Sequence, residues 1–287
     1  MLAGATTACS LFLDTAGIDD GKVDGAADVA ATDASSDTVM TDAGSDAQPA
    51  KDASCPGTSG PVAIKAGTFC IDSTEVTNAQ YQQFLDAIGQ GYTPNKPAGC
   101  GGKTSFAPAT ANNGCTAQTF DPAGHASFPV PCVDWCDAWA YCAWAGKRLC
   151  GQVGGGAIAF DSNQVTSTAS EWYSACSAGG LSLFPWGSNS PDDTRCNTTC
   201  SPKGDGGAIA VGTDTTCTTP SGMADMGGNQ SEWVNSCGGT SPTDFCFFQG
   251  DSFSKKDVYC GECEAQDIPD RGYAGVEMGI RCCADAL

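Results

Sequence analysis

Histidine is almost missing from this chain of 287 residues: there is one, His125, in a Gly-His-Ala-Ser run. That scarcity excludes two-histidine iron sites and HExxH zinc sites, and it leaves a Ser-His-Asp triad little to build on. His125 itself reads as a solvated loop residue. Basic residues are also few, 13 against 33 acidic ones, for a net charge of −20. Residues 10–54 hold 10 Asp and 2 Lys, which account for −8, and the remaining 23 acidic and 11 basic residues account for −12. Both parts are acidic, so phosphate backbones and anionic membrane surfaces repel this chain, and nucleic acid is excluded as a partner. No apolar run approaches the roughly 18 residues that a membrane-spanning helix needs.

What the chain has in excess is cysteine, 19 residues. In a reducing compartment so many thiols would need metal clusters. The spacing for zinc is missing, however, because Cys260-x-x-Cys263 has no second such pair beside it. A disulfide framework made in an oxidising compartment fits better. Met1-Leu2-Ala3-Gly4-Ala5-Thr6-Thr7-Ala8-Cys9 lacks the basic start and apolar stretch of a full signal peptide. Small residues leading to a cysteine do resemble the end of a bacterial lipoprotein signal whose start lies upstream of Met1. Residues 1–9 therefore read as a signal remnant, with Cys9 as the lipidation site, and an even number of cysteines is left for pairing. The expected location is extracytoplasmic, as a cell-envelope lipoprotein or a secreted protein. Any membrane contact would be through the lipid anchor alone.

Residues 10–54 are Ala, Asp, Ser, Thr and Gly with few large apolar side chains, a composition that cannot offset its ordering entropy. They read as a disordered acidic linker, and residues 55–287 as the globular domain. The domain opens on a strand-like Thr68–Asp72. Thr77-Asn78-Ala79-Gln80 is a capping box, and it predicts a helix with Tyr81, Phe84, Leu85 and Ile88 inward and a stop at Gly89. A second helix is expected from Asp134, burying Trp135, Ala138, Trp139 and Cys142. A third is expected from Thr168-x-x-Glu171, carrying Trp172 and Cys176 and stopping at Gly179-Gly180. Long loops join these elements, and disulfides and bound ions commonly stabilise such folds. Trp135, Trp139, Trp144, Trp172, Trp186 and Trp233 read as core, with one or two of them as an alternative ligand platform.

Motifs then accumulate in a fixed order. They are Phe69-Cys70-Ile71-Asp72-Ser73-Thr74-Glu75-Val76-Thr77-Asn78; Pro129-Val130 through Val133-Asp134-Trp135; Ala140-Tyr141-Cys142-Ala143-Trp144-Ala145-Gly146-Lys147-Arg148-Leu149; Glu171-Trp172 through Cys176; Phe184-Pro185-Trp186-Gly187; Gly228-Asn229-Gln230-Ser231-Glu232-Trp233; Gly250-Asp251-Ser252-Phe253; and Gly279-Ile280-Arg281-Cys282. In this order, over about residues 62–285, they resemble the formylglycine-generating enzyme, or sulfatase-modifying factor, family. The resemblance implies one α+β domain of low secondary-structure content with a C-type-lectin-like fold, rich in disulfides.

The reaction implied by the resemblance is copper- and oxygen-dependent oxidation of a peptide cysteine to formylglycine, with two thiolates holding soft copper(I). Ser252 and Cys260 fall on the family's catalytic turn, and the other thiol position falls on Lys255. An ammonium cannot ligate copper, so the pair is incomplete. Cys263 is a possible substitute thiol, although the resemblance also implies a Cys176–Cys263 disulfide, the family's own partner position falling nearby at Ala265. It implies a Cys142–Cys282 disulfide as well. Adjacent Cys282 and Cys283 point to opposite faces of a strand, so each needs its own partner. Cys132, Cys136, Cys150, Cys196, Cys200, Cys217, Cys237 and Cys246 read as further staples in loops or at helix ends. The even count leaves Cys260 free to be a disulfide partner too.

Two calcium sites are also implied. One would use the carbonyls of Gly227, Gly228 and Gln230 with the Glu232 side chain. The other would use Asn197, Thr198, Asp205 and Gly207. Glu232 could instead cap the glycine turn, and Asp205 could be a solvated loop residue. Two functions remain open: a non-catalytic binding or structural module with a protein or peptide partner, and a copper-dependent thiol oxidase. Calcium is the expected cofactor, and copper belongs to the second reading alone.

Overall fold

The structure, a computed structural model, describes residues 52–57, 59–203, 206–254 and 260–287. Cys9, Asp205 and Lys255 fall outside them. Two four-stranded sheets carry the fold. The first has the order β1-β2-β8-β3, with β1 Ala63–Ala66, β2 Phe69–Asp72, β3 Arg148–Leu149 and β8 Cys282–Asp285, all antiparallel. Gly67, at φ +71°, supplies the positive φ that the two-residue turn between β1 and β2 requires. β2 is buried along its whole length. Phe69 and Ile71 enter one apolar cluster and Cys70 another, while Asp72 ion-pairs with Lys147 inside the protein.

The second sheet has the order β6-β5-β4-β7, with β4 Ser231–Cys237, β5 Cys246–Gln249, β6 Gln266–Asp267 and β7 Met278–Gly279. β4 pairs antiparallel with β5 and parallel with β7. The same Glu232-Trp233 stretch thus meets both the returning chain and the run just before Arg281.

Helix α1 is Asn78–Gly89, and its capping box uses Thr77 and Gln80 as the sequence predicts. Helix α2 is Trp135–Trp144, capped by Asp134 and Asp137. It is buried on more than one face, because Cys136, Asp137, Ala140 and Tyr141 are enclosed along with Trp135, Ala138 and Cys142, whereas Trp139 is half-buried. Indole hydrogen bonds lock α2 to the second sheet: Trp135 Nε1 donates to the Val234 carbonyl at 2.8 Å, and Trp233 Nε1 to the Val133 carbonyl at 3.0 Å.

A short helix α3, Ser162–Val165, precedes α4, Glu171–Cys176. α4 starts later than its sequence suggests. Its cap is Ser170, whose hydroxyl accepts from the Tyr173 amide, and not Thr168. Thr168 lies inside a turn closed by the Ser170 amide on the Ser167 carbonyl, and an isolated β-bridge ties Ser170 itself to Gln152, so the helix begins after that residue.

Nine disulfides cross this framework, and among the described residues every cysteine is in one. Cys142 pairs with Cys282 and Cys150 with Cys283, so the two adjacent cysteines of β8 do take separate partners from opposite faces. Cys176 pairs with Cys263. Cys237 and Cys246 lie on paired strands and not in loops, joining β4 to β5 with Cα atoms 4.0 Å apart. Among the described residues no helix is long and apolar enough to cross a membrane.

Candidate functional site

The Gly250–Phe253 turn leaves β5 and folds back on the glycine turn before β4. Gly250 has φ +85°, and a Cβ there would fall 3.1 Å from both the Met226 carbonyl and the Trp172 ring. The turn is fastened on each side. Ser231 Oγ donates to the Gly250 carbonyl at 2.9 Å, the Gly250 amide donates to the Ala265 carbonyl, and the Phe253 amide donates to the Asn229 carbonyl. Asp251 is wholly buried and accepts from the Ser252 amide at 2.7 Å and the Gly261 amide at 3.2 Å. One carboxylate therefore ties together the two ends of the segment that runs from Ser252 to Cys260. Ser252 is buried, and its hydroxyl accepts from the Ser254 amide at 3.4 Å.

Cys260 is bonded to Cys200, with Cα atoms 5.8 Å apart. Cys260, the one cysteine that the resemblance leaves at a copper position, is thus in a disulfide, and a sulfur in a disulfide has no thiolate to offer a metal. The substitute thiol is absent for the same reason, because Cys263 is joined to Cys176 across a Cα separation of 5.7 Å. Beside Cys260, a Cβ on Gly261 (φ +97°) would fall 3.6 Å from the ring of the half-buried Trp186. Trp186 stacks on Phe184 with ring centroids 4.6 Å apart, and the Arg195 guanidinium sits 5.6 Å from its ring. Of the six tryptophans, Trp135, Trp172 and Trp233 are core, whereas Trp139, Trp144 and Trp186 keep part of their surface exposed.

The first calcium set does not fit the ion. Both Glu232 oxygens are already engaged, accepting from Arg281 Nε at 2.8 and 2.9 Å, from Arg281 Nη2 at 2.8 Å and from Trp172 Nε1 at 2.5 Å. A divalent cation on the same oxygens would face a buried guanidinium. Glu232 does not cap the glycine turn either, since the donors to its carboxylate are the Arg281 guanidinium and the Trp172 indole, not backbone amides of the turn. The glycines at 227 and 228 are explained by close packing: a Cβ would fall 2.6 Å from the Gly261 carbonyl at position 227, and 2.7 Å from the Asn197 carbonyl at 228. Gln230 uses its amide nitrogen on the Val276 carbonyl and its side-chain oxygen is buried beside Gly279.

In the second set, Asn197 Nδ2 donates to the Gly207 carbonyl at 2.9 Å and to Asn229 Oδ1 at 3.2 Å, while its Oδ1 accepts from the Lys203 amide. Thr198 Oγ1 accepts from the Cys200 and Ser201 amides. The Asn197 side-chain amide thus donates to the carbonyl of Gly207, a residue that the resemblance assigns to calcium. Among the described residues no group of three or more His, Cys, Asp or Glu is arranged to hold a metal ion.

The structure brings together instead a buried charge cluster that the sequence reading missed. Arg281 also donates to the carbonyls of Asp72 and Ala224. Glu75 accepts from the Gln230 amide at 2.9 Å and from Asn229 Nδ2 at 3.1 Å. Asp225, at φ +63°, accepts from the Gly212 amide at 2.6 Å. Burial pushes the Glu75 carboxyl well above its ordinary value, with Asp225 and Glu232 adding to it. Burial likewise raises Asp225 to about 7. Burial works against the charge of Arg281, but Glu232, Glu75 and Asp225 together hold it firmly protonated. Glu75, Glu232 and Arg281 stand in three separate motifs, 69–78, 228–233 and 279–282, and no spacing rule links residues so far apart in the chain.

The sequence profile of the sulfatase-modifying factor enzyme 1-like domain matches residues 25–286. The chain belongs to that family. The match begins inside the segment read as a linker and runs to the end of β8. Hercynine oxygenase of Mycobacterium tuberculosis is 29% identical over 152 residues, which cover 47% of this chain and 30% of that protein. The chain thus matches less than a third of that relative's length. Among solved structures, PvdO from Pseudomonas aeruginosa has a TM-score of 0.49 at 19% identity, covering 76% of this chain and 80% of its own. CarF has a TM-score of 0.48 at 18% identity, covering 81% and 97%. Within the sulfatase-modifying factor family domain of this chain, Cys260, which the resemblance places at the catalytic turn, is held in a bridge to Cys200 of a different loop.

Proposed function

We propose that this chain is a non-catalytic member of the sulfatase-modifying factor family, a disulfide-rich extracytoplasmic module that binds a protein or peptide partner. The observation that carries the reading is the Cys200–Cys260 bond. It removes the one thiol that the sequence leaves at the copper position, the other position being Lys255. The number of disulfides supports an oxidising compartment. Purified full-length protein should take up no copper(I) in a competition titration. It should also consume no oxygen with a cysteine-bearing sulfatase-type peptide. Tight one-to-one copper binding together with peptide oxidation would overturn the proposal.

The second reading is a copper-dependent oxidase that converts a protein cysteine to formylglycine or oxidises another thiol. The similarity to hercynine oxygenase, an oxygenase by name, favours it. It requires Cys260 as a free thiol, so a count of free thiols on the native protein separates the two readings.

A further inference from the structure

Eight of the nine disulfides have at least one buried cysteine. Cys237–Cys246, the most open of those eight, still has Cys246 fully enclosed. Cys200–Cys260 differs: Cys200 is exposed and Cys260 half-buried. Disulfide exchange requires a thiolate to reach a sulfur in line with the bond, so access selects which bridges can react, and exposed bridges are the labile ones. Cys260 also holds φ +32°, a left-handed conformation that a side chain with a Cβ disfavours. Breaking the bond would let Cys260 leave that conformation. The two halves would otherwise stay in place. Thr198 Oγ1 holds the Cys200 amide, Asp251 holds the Gly261 amide, and Cys196–Cys217 and Cys176–Cys263 anchor the flanking chain.

We infer that Cys200–Cys260 is a thiol-exchange site that reacts with external thiols, either a small thiol or a protein cysteine. The inference rests on the reading of Cys260 as a bridge partner. An external thiolate attacks Sγ of the exposed Cys200, forming a mixed disulfide and expelling Cys260 as thiolate. A second external thiolate then attacks the external sulfur of that mixed disulfide, forming the external disulfide and expelling Cys200 as thiolate. Two external thiols are oxidised by two electrons in all, and the protein bridge is reduced by two. Both protein thiolates then take protons from solvent.

The test uses the full chain under native conditions. A non-reducing peptide map of untreated protein first establishes whether Cys200 and Cys260 are joined. Graded glutathione is then added, the reaction is quenched with an alkylating agent, and labelled cysteines are mapped against time. Cys200 and Cys260 should be labelled at least about tenfold faster than any other bridged cysteine, with glutathione trapped on Cys200 at early times. Labelling of another pair at the same rate, or glutathione trapped on Cys260 alone, would overturn the inference and leave the non-catalytic reading standing. A free Cys260 in the untreated map would overturn that reading itself. The Cys200→Ser, Cys260→Ser double variant should lose the fast labelling phase, while the wild-type time course gives the answer even where that variant folds poorly.

Discussion

Arg281 donates to both carboxylate oxygens of Glu232 from a position where neither side chain reaches solvent, tying the residue just before β8 to β4. Glu75 and Asp225 lie within electrostatic reach of the same guanidinium, so its charge offsets more than one carboxylate. Arg281→Met should therefore destabilise the protein by about 3–5 kcal/mol, the usual cost of leaving a buried partner uncompensated. Urea unfolding would measure it. The Arg281→Met, Glu232→Gln double variant should recover part of the loss. A single variant as stable as wild type would refute the structural role given to this pair.

Asp225 leads to a pH dependence. Its carboxyl is raised by burial to about 7, above its ordinary value of 3.8, so between those values the folded state binds more protons than the unfolded one. Stability from this group is fully present below pH 3.8 and is lost as pH rises through about 7. Asp225→Asn keeps an acceptor for the Gly212 amide but cannot ionise. Its melting temperature should fall less than that of wild type over that interval, and parallel profiles would count against the assignment.

The disulfides should differ in worth according to the loop each closes. Cys142–Cys282 spans 140 residues and Cys237–Cys246 spans 9. Loop-closure entropy puts them at about 5 and about 2.5 kcal/mol respectively. Replacing both cysteines of a pair with Ala avoids a stray thiol. The 142/282 variant should have the lower denaturation midpoint, and the reverse order would mean that native-state strain outweighs the chain-entropy effect.

Lys255→Cys restores a cysteine at the copper position in sequence, yet it should leave copper(I) affinity unchanged because Cys260 is bonded to Cys200. Lys255→Cys combined with Cys200→Ser frees Cys260 and should create affinity, since two thiolates suit a soft monovalent ion. A competition titration reads both variants. Affinity in the single variant would mean that Cys260 carries a free thiol.

Local signals were legible wherever one turn of chain contains its own cause. Thr77 and Gln80 cap α1 reciprocally, and Asp134 starts α2, because both caps are contacts between residues three apart. Thr168 failed as the start of α4 for the opposite reason. The bridge from Gln152 to Ser170 is a contact with another part of the chain, and it overrides a local capping preference.

By itself the sequence determined the family and the disulfide-rich α+β class, because ordered motifs and residue identity need no geometry. Tertiary structure alone decided where the buried charges meet and which sulfur Cys260 takes. Cys200 lies 60 residues from Cys260 and Glu232 lies 49 from Arg281, separations at which no periodicity operates and only the folded path of the chain chooses partners. The same folding turned two glycines, an asparagine and a glutamate that suggested calcium into close packing, an amide hydrogen bond and a buried ion pair. Burial is the physical reason. It makes an unpaired charge costly, so the Glu232 carboxylate is taken by the guanidinium of Arg281.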